Sequence, residues 1–276
     1  MNKLSMVITA AASLAVISVV STSAASAGAV LDKVLGTKTL TVATSVGWPP
    51  ASFVNDKGEL DGFDVDVAKG VAKYLGVEVK FVTPDWDIVT SGKWEGRWDL
   101  TMGQMLPTKE RAEKFDFPAR YIYSNTVAVV HKDSKATKPS DLDGKVVGAT
   151  AGSVDEFYAK HTLEIYGAPP VQYQFTPSEV KSYQGDLTAK DDLRLGDGVR
   201  LDGIVFDEIS TKNAIKAGYP IKIIGTLFSW GGAIATLRGD KEFSDKIAAA
   251  IQSMRDDGTL SKMSIKWYEA DYTIAK

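Results

Sequence analysis

Residues 99–121 read DLTMGQMLPTKERAEKFDFPARY, and the fold turns on this stretch. Residues 99–102 have the character of a buried strand end, 103–107 of a loop, and Thr108 of the N-cap of a short helix. Arg111 is then the N3 residue. A cation there opposes the helix dipole by about 0.3 to 1 kcal/mol, so its presence calls for a reason. Two reasons stay open: an anion bound at the helix start, or an exposed arginine answering Glu110, Glu113 or Asp116.

Toward the N-terminus the chain alternates strand and helix. TLTVAT (39–44) alternates like a strand, and SVGWPPASF (45–53) reads as a loop stiffened by Pro49 and Pro50. NDKG (55–58) is a tight turn. GFDVDVAKGVAKYLG (62–76) predicts a helix capped by Asp64 and closed by Gly76, with Val65, Ala68, Val71, Ala72 and Leu75 on one face. VEVKFV (77–82) is the next strand. Strand, helix, strand in this order implies a parallel pair joined by a right-handed crossover. Ligands of such sheets bind beyond the carboxyl ends of the strands, which is where SVGW (45–48) and GQML (103–106) fall.

Toward the C-terminus, TVAVVHK (126–132) and KVVGAT (145–150) read as strands. SVDEFYAKH (153–161) reads as a helix opened by a capping box of Ser153 and Glu156. GIVF (203–206) is a buried strand that runs into Asp207 and the helix EISTKNAIKAG (208–218). Strands follow at IKIIG (221–225) and GGAIATL (231–237), then an amphipathic helix over 243–254 and a last segment around Trp267. Residues 175–201 are polar and carry Pro177 and several glycines, which predicts a surface loop with one short helix. The whole is an α/β chain.

A length of 276 residues allows one large domain or two lobes, and 44% hydrophobic residues are ample for a core. The formal net charge of -3, with no basic stripe, argues against nucleic acid. Residues 1–27 read as a cleaved targeting segment, with Lys3 the lone charge, 4–20 apolar, and Ala25, Ser26 and Ala27 as the small-residue cleavage site. The chain has no cysteine, hence no disulfide, no thiol chemistry and no lipid-attachment site at the cleavage point. An exported, unanchored protein of the periplasm fits. Nothing demands catalysis, a cofactor or a metal: GxSxG, HExxH and phosphate-cradling loops are missing from the sequence. His131 at a strand end and His161 in a helix have no metal-ligand spacing and are expected at the surface.

QMLPTKERAEKFDF (104–117) leading into YIYS (121–124) closely resembles the family 3 extracellular solute-binding proteins, the polar amino-acid receptors of ABC importers, and the likeness runs through nearly all the chain after residue 38. The resemblance implies a two-lobed periplasmic-binding-protein fold of type II, each lobe a mostly parallel sheet flanked by helices, with a two-strand hinge. Lobe 1 would hold residues 28–124 and 229–276, and lobe 2 residues 125–228. It further implies an importer's substrate-binding component, a monomeric receptor that takes an amino acid or small zwitterion in the cleft and hands it to a membrane permease. A periplasmic dehydratase of the cyclohexadienyl type is the alternative on the same fold.

The family's arginine that grips the α-carboxylate falls on Arg111. Its helix start on the opposite lobe falls on Ser153 and Val154, whose backbone N–H groups are preferred because the capping box employs the Ser153 hydroxyl. The acid that takes the α-ammonium falls on Asp207, although the residues alone equally describe a helix N-cap. Trp48 and Trp86 fall where aromatics cover the ligand's carbon stem, while Trp94, Trp98, Trp230 and Trp267 are assigned to the core, Trp230 with less force because it adjoins the return crossing. Two positions depart from the pattern. Ser45 stands where members that prefer lysine or arginine carry an acid, with Asp85 and Asp87 within reach of the same space. Leu106 stands where many members carry a hydroxyl donor worth about 0.5 to 1.5 kcal/mol, and Gln104 is the candidate to compensate.

Overall fold

The computed structural model describes residues 28–275, so the targeting segment expected over 1–27 lies outside the described residues. The chain opens with α1 (Ala29–Thr37), which the sequence reading passed over. Its first turn is held by Asp240: Val30 N–H donates to Oδ2 at 2.7 Å, and Phe243 N–H donates to Oδ1 at 2.9 Å, so one carboxylate satisfies the starts of two helices. Next comes β1 (Thr39–Ala43). Residues 45–54 are more than a loop, because β2 (Gly47–Trp48), β3 (Ser52–Val54) and β4 (Leu60–Asp61) form a small antiparallel sheet. Strands of two or three residues are too short for alternation to register.

Helix α2 (Phe63–Leu75) ends at Gly76 as expected, with φ 69°. Its N-cap is Gly62, however, not Asp64. Gly62 has φ 128° and a Cβ there would sit 2.4 Å from the Ala51 carbonyl oxygen, so only glycine fits the entry. Asp64 is instead turned inward with no exposed surface. Strand β5 (Glu78–Val82) pairs parallel with β1, as the strand-helix-strand order required. After α3 (Trp86–Ser91), β6 (Leu100–Met105) also pairs parallel with β1. It runs through residues expected as loop, because Met105 pairs with Ala233 on a long return strand.

Helix α4 (Lys109–Ala112) and β7 (Phe115–Asp116) lead into β8 (Arg120–His131). Beyond lie β9 (Val146–Thr150), α5 (Val154–Ala159), β10 (Glu179–Tyr183), α6 (Asp186–Leu193), β11 (Gly203–Asp207) and α7 (Glu208–Lys216). Strand β10 falls where a surface loop was expected; it is a half-exposed edge strand, parallel to β9, so its polar sequence hides it. The two C-terminal strand segments merge into one 17-residue strand, β12 (Ile221–Leu237), with irregular register where Gly225 and Gly232 interrupt the apolar pattern. Helices α8 (Lys241–Asp256) and α9 (Thr259–Tyr268) close the chain.

The sheet order is β10-β9-β11-β8-β12-β6-β1-β5. Strands β8 and β12 run antiparallel through its middle, from His131 opposite Ile221 to Arg120 opposite Ala233. One apolar core gathers Leu40, Val67, Leu100 and Ile247 on the β1 side; another gathers Val130, Val147, Tyr158 and Val205 on the β9 side. This is the two-lobed type II binding-protein fold, with β8 and β12 joining the lobes. Trp94 and Trp98 are core as expected, and Trp267 is half-buried with its N–H on Asp66. His131 is 7% exposed, against expectation, since the β8–β12 ladder continues to its position. His161 lies just past α5 at φ 59°, stacked on Tyr173.

Candidate functional site

A cavity of about 330 Å³ opens between the lobes, at the carboxyl ends of β1, β6, β9 and β11. All nine residues singled out by sequence line it: Ser45, Trp48, Trp86, Gln104, Leu106, Arg111, Ser153, Val154 and Asp207. They come from six separate stretches of the chain, and the sheet brings their ends together.

Thr108 caps α4 by accepting the Arg111 N–H at 3.2 Å, which puts Arg111 at N3. Its side chain is 3% exposed, so the reading of a solvated surface arginine fails; Glu110 pairs with Lys114 instead, at 2.9 Å. The guanidinium donates to the Leu106 carbonyl (3.0 Å) and, across the cleft, to the Gly152 carbonyl (2.9 Å). It lies over the rings of Trp86 and Phe157, 5.6 and 5.8 Å from their centroids. Burial lowers its pKa to about 10, with Glu110 and Asp155 opposing that shift, so it stays a cation at neutral pH.

On the facing wall, Ser153 Oγ accepts the Glu156 N–H at 3.2 Å, which is half of the expected capping box. The other half is displaced by one residue, because the Glu156 carboxylate takes the N–H of Gly152 (2.7 Å) rather than that of Ser153. The Ser153 N–H donates to the Thr150 carbonyl at 3.1 Å, so it is engaged in the turn. Val154, at the first helical position, keeps an N–H that has no acceptor within the helix.

Asp207 unites both of its sequence readings. Oδ1 caps α7 by accepting the Ser210 N–H (2.9 Å), and Oδ2 accepts the indole N–H of Trp48 (3.1 Å) from the other lobe. Trp86 likewise reaches across, donating to the Gly152 carbonyl at 3.3 Å. Beneath it Gly103 leaves no room for a side chain unless the ring shifts, since a Cβ would lie 2.7 Å from the Trp86 ring. Behind the cavity the backbones also join, Lys109 N–H to the Glu164 carbonyl and Tyr166 N–H to the Pro107 carbonyl, both at 3.0 Å. The cleft is closed.

Gln104 does not make the compensation expected of it. It sits in β6 at φ 49°, and its amide nitrogen donates to Asp64 (3.1 Å) and to the Tyr268 hydroxyl (3.2 Å). Burial pushes the Asp64 carboxyl up to about 7, and burial drives the Tyr121 and Tyr268 hydroxyls well above their ordinary range. Gln104 therefore serves a buried polar cluster under the cavity floor. Leu106 offers its carbonyl, already used by Arg111, and Ser45 shares a 3.3 Å hydroxyl contact with Ser52. Asp85 lines the cavity, whereas the Asp87 carboxylate takes the Ile88 N–H.

The sequence reading missed Asp155, Trp230 and Thr44 as cavity residues. Trp230 is 8% exposed and its indole N–H has no partner among the described residues; the Thr44 hydroxyl is in the same condition at 4%. The place of Trp230 beside the crossing strand was the one available signal. Among the described residues, no group of three or more His, Cys, Asp or Glu side chains is placed to hold a metal ion. No described helix is long and apolar enough to cross a membrane.

A family model described as bacterial extracellular solute-binding proteins, family 3, matches residues 40–270. The L-cystine-binding protein TcyJ of Escherichia coli is 32% identical over 247 residues, covering 88% of this chain and 87% of its own length. The arginine-binding extracellular protein ArtP of Bacillus subtilis is 27% identical, over 86% of this chain and 88% of its own length. Among solved structures, an ancestral arginine-binding protein bound to arginine superposes with a TM-score of 0.73 at 33% identity, covering 84% of this chain and 98% of that one. The ancestral amino acid-binding protein AncCDT-1, a precursor of cyclohexadienyl dehydratase, gives 0.75 at 28% identity, covering 86% and 99%.

Proposed function

The chain belongs to the bacterial extracellular solute-binding proteins of family 3, and on that premise we propose that it captures an amino acid or related small zwitterion between its lobes and delivers it to the permease of an ABC importer. The observation that carries the reading is Arg111, a cation 3% exposed in the wall of a closed cavity, bonded there to two neutral carbonyls. A buried guanidinium asks for a carboxylate, which it grips with two parallel hydrogen bonds. In this reading Arg111 exchanges the Gly152 carbonyl for the ligand's α-carboxylate, helped by the Val154 N–H. Asp207 takes the α-ammonium, and the faces of Trp48 and Trp86 cover the stem.

A ligand of about ten heavy atoms gaining about 1 kcal/mol per atom reaches about −10 kcal/mol, which is sub-micromolar. Contacts to both walls exist only in the closed form, so binding favours closure. The crossings are proposed at residues 124/125 and 228/229, within the β8–β12 ladder where Ser124 faces Trp230. The receptor is proposed to act as an exported monomer, cut after Ala27, without nucleic acid and without chemistry of its own. The dehydratase reading leans only on likeness to a precursor that is itself an amino acid-binding protein, so it stands behind.

A thermal-shift screen against the common amino acids, cystine, opines and amine-free carboxylates tests this. A ligand at 100 times its dissociation constant adds about 2.7 kcal/mol and raises the melting temperature by several degrees. A response to an amino-acid subset supports the receptor; silence from every amino acid, with turnover of a cyclohexadienyl acid, replaces it with the enzyme.

A further inference from the structure

The cavity is unbalanced in charge. Among the described residues that line it, Arg111 is the one cation, against the carboxylates of Asp85, Asp155 and Asp207. The α-carboxylate and α-ammonium of an amino acid answer Arg111 and Asp207. Asp155 has no task in that scheme. It is 9% exposed, lies in the first turn of α5, and accepts the Thr126 hydroxyl at 3.0 Å. Its charge already acts on Arg111.

Once a ligand carboxylate docks, one guanidinium faces two carboxylates in a site nearly cleared of water, where excess charge of one sign is costly. A neutral zwitterion adds nothing to offset the excess, whereas a second cationic nitrogen does. Other features suit such a group. Thr44, whose buried hydroxyl has no partner among the described residues, offers an acceptor in the same cavity as Asp85. The rings of Trp48, Trp86 and Trp230 offer faces that attract cations. Resting on the receptor reading, we propose that Asp155 is the specificity-determining acid of the cleft, and that the ligand is an amino acid with a second cationic nitrogen carried on its side chain. The acid absent at Ser45 is supplied from the opposite wall.

Calorimetric titration of the intact protein with two pairs tests this: lysine against norleucine, and arginine against citrulline. The charged member of at least one pair is expected to bind about 30-fold or more tighter than its partner. Asp155→Asn, which preserves an acceptor for Thr126, is expected to shrink that ratio to about threefold by weakening the charged member, while the neutral member, relieved of the excess negative charge, binds no more weakly than before. Equal affinities within every pair, a preference that survives Asp155→Asn, or equal losses for both members overturn the proposal and leave the receptor reading intact. Tighter binding of glutamate or glutamine does the same. Silence from these compounds and from all common amino acids overturns the receptor reading, and this proposal with it.

Discussion

Asp207 works on two fronts at once, one oxygen on the start of α7 and the other on Trp48 across the cleft. Asp207→Asn keeps an acceptor oxygen but loses the charge, so an amino acid should bind tenfold or more weaker while its deaminated analogue is unaffected. Equal losses for both would reduce Asp207 to a cap. Asp64 makes a different prediction, through pH. Its folded pKa of about 7 lies above the ordinary 3.8, so the folded protein holds a proton that the unfolded chain releases. The stability this provides is full below about pH 4 and is lost as pH rises to 7, where the loss reaches a few kcal/mol. Urea melts should therefore show Asp64→Asn gaining on the parent above pH 7 and losing that advantage near pH 4. At this scale Arg111 was legible because a cation at N3 contradicts its own helix. Asp155 was not, since an acid in a helix's first turn is what the dipole favours anyway. Asp64 was misread for the same reason: acids are common at helix starts, and only Gly62 shows that the entry excludes it as a cap.

Two glycines shape the elements around the cavity. A Cβ at Gly232 on β12 would lie within 2.9 Å of the Gln104 backbone, and one at Gly103 on β6 within 2.7 Å of the Trp86 ring. Gly232→Ala pushes backbone against backbone and is expected to cost about 1 to 3 kcal/mol in thermal or urea unfolding. Gly103→Ala pushes a ring that can move, so its effect should fall on ligand affinity more than on melting temperature. The long periodic elements, α2 and α8 among them, were legible because burial imposes one apolar face over three or more turns. The short strands β2 to β4 and the edge strand β10 were not, because neither length nor burial imprints a pattern. The unity of β12 was hidden by glycines that its register irregularities require.

At the scale of the molecule, two lobes meet over a cavity with a cation from one and a carboxylate from the other, and the cross-cleft bonds of Arg111, Trp86 and Trp48 run directly through it. Each of these bonds ends on a group that the proposed ligand would also address. The alternation of strands and helices announced an α/β chain, but the pairing of β8 with β12 through the middle of the sheet links residues about a hundred positions apart, beyond the reach of local periodicity. The account stands on Arg111 as the carboxylate anchor. The measurement that tests it most directly is calorimetric titration of the parent and of Arg111→Ala with whichever amino acid stabilises the parent most. The account predicts sub-micromolar binding to the parent and a loss of about 100-fold or more in the variant. Binding to the variant within about threefold of the parent would contradict it.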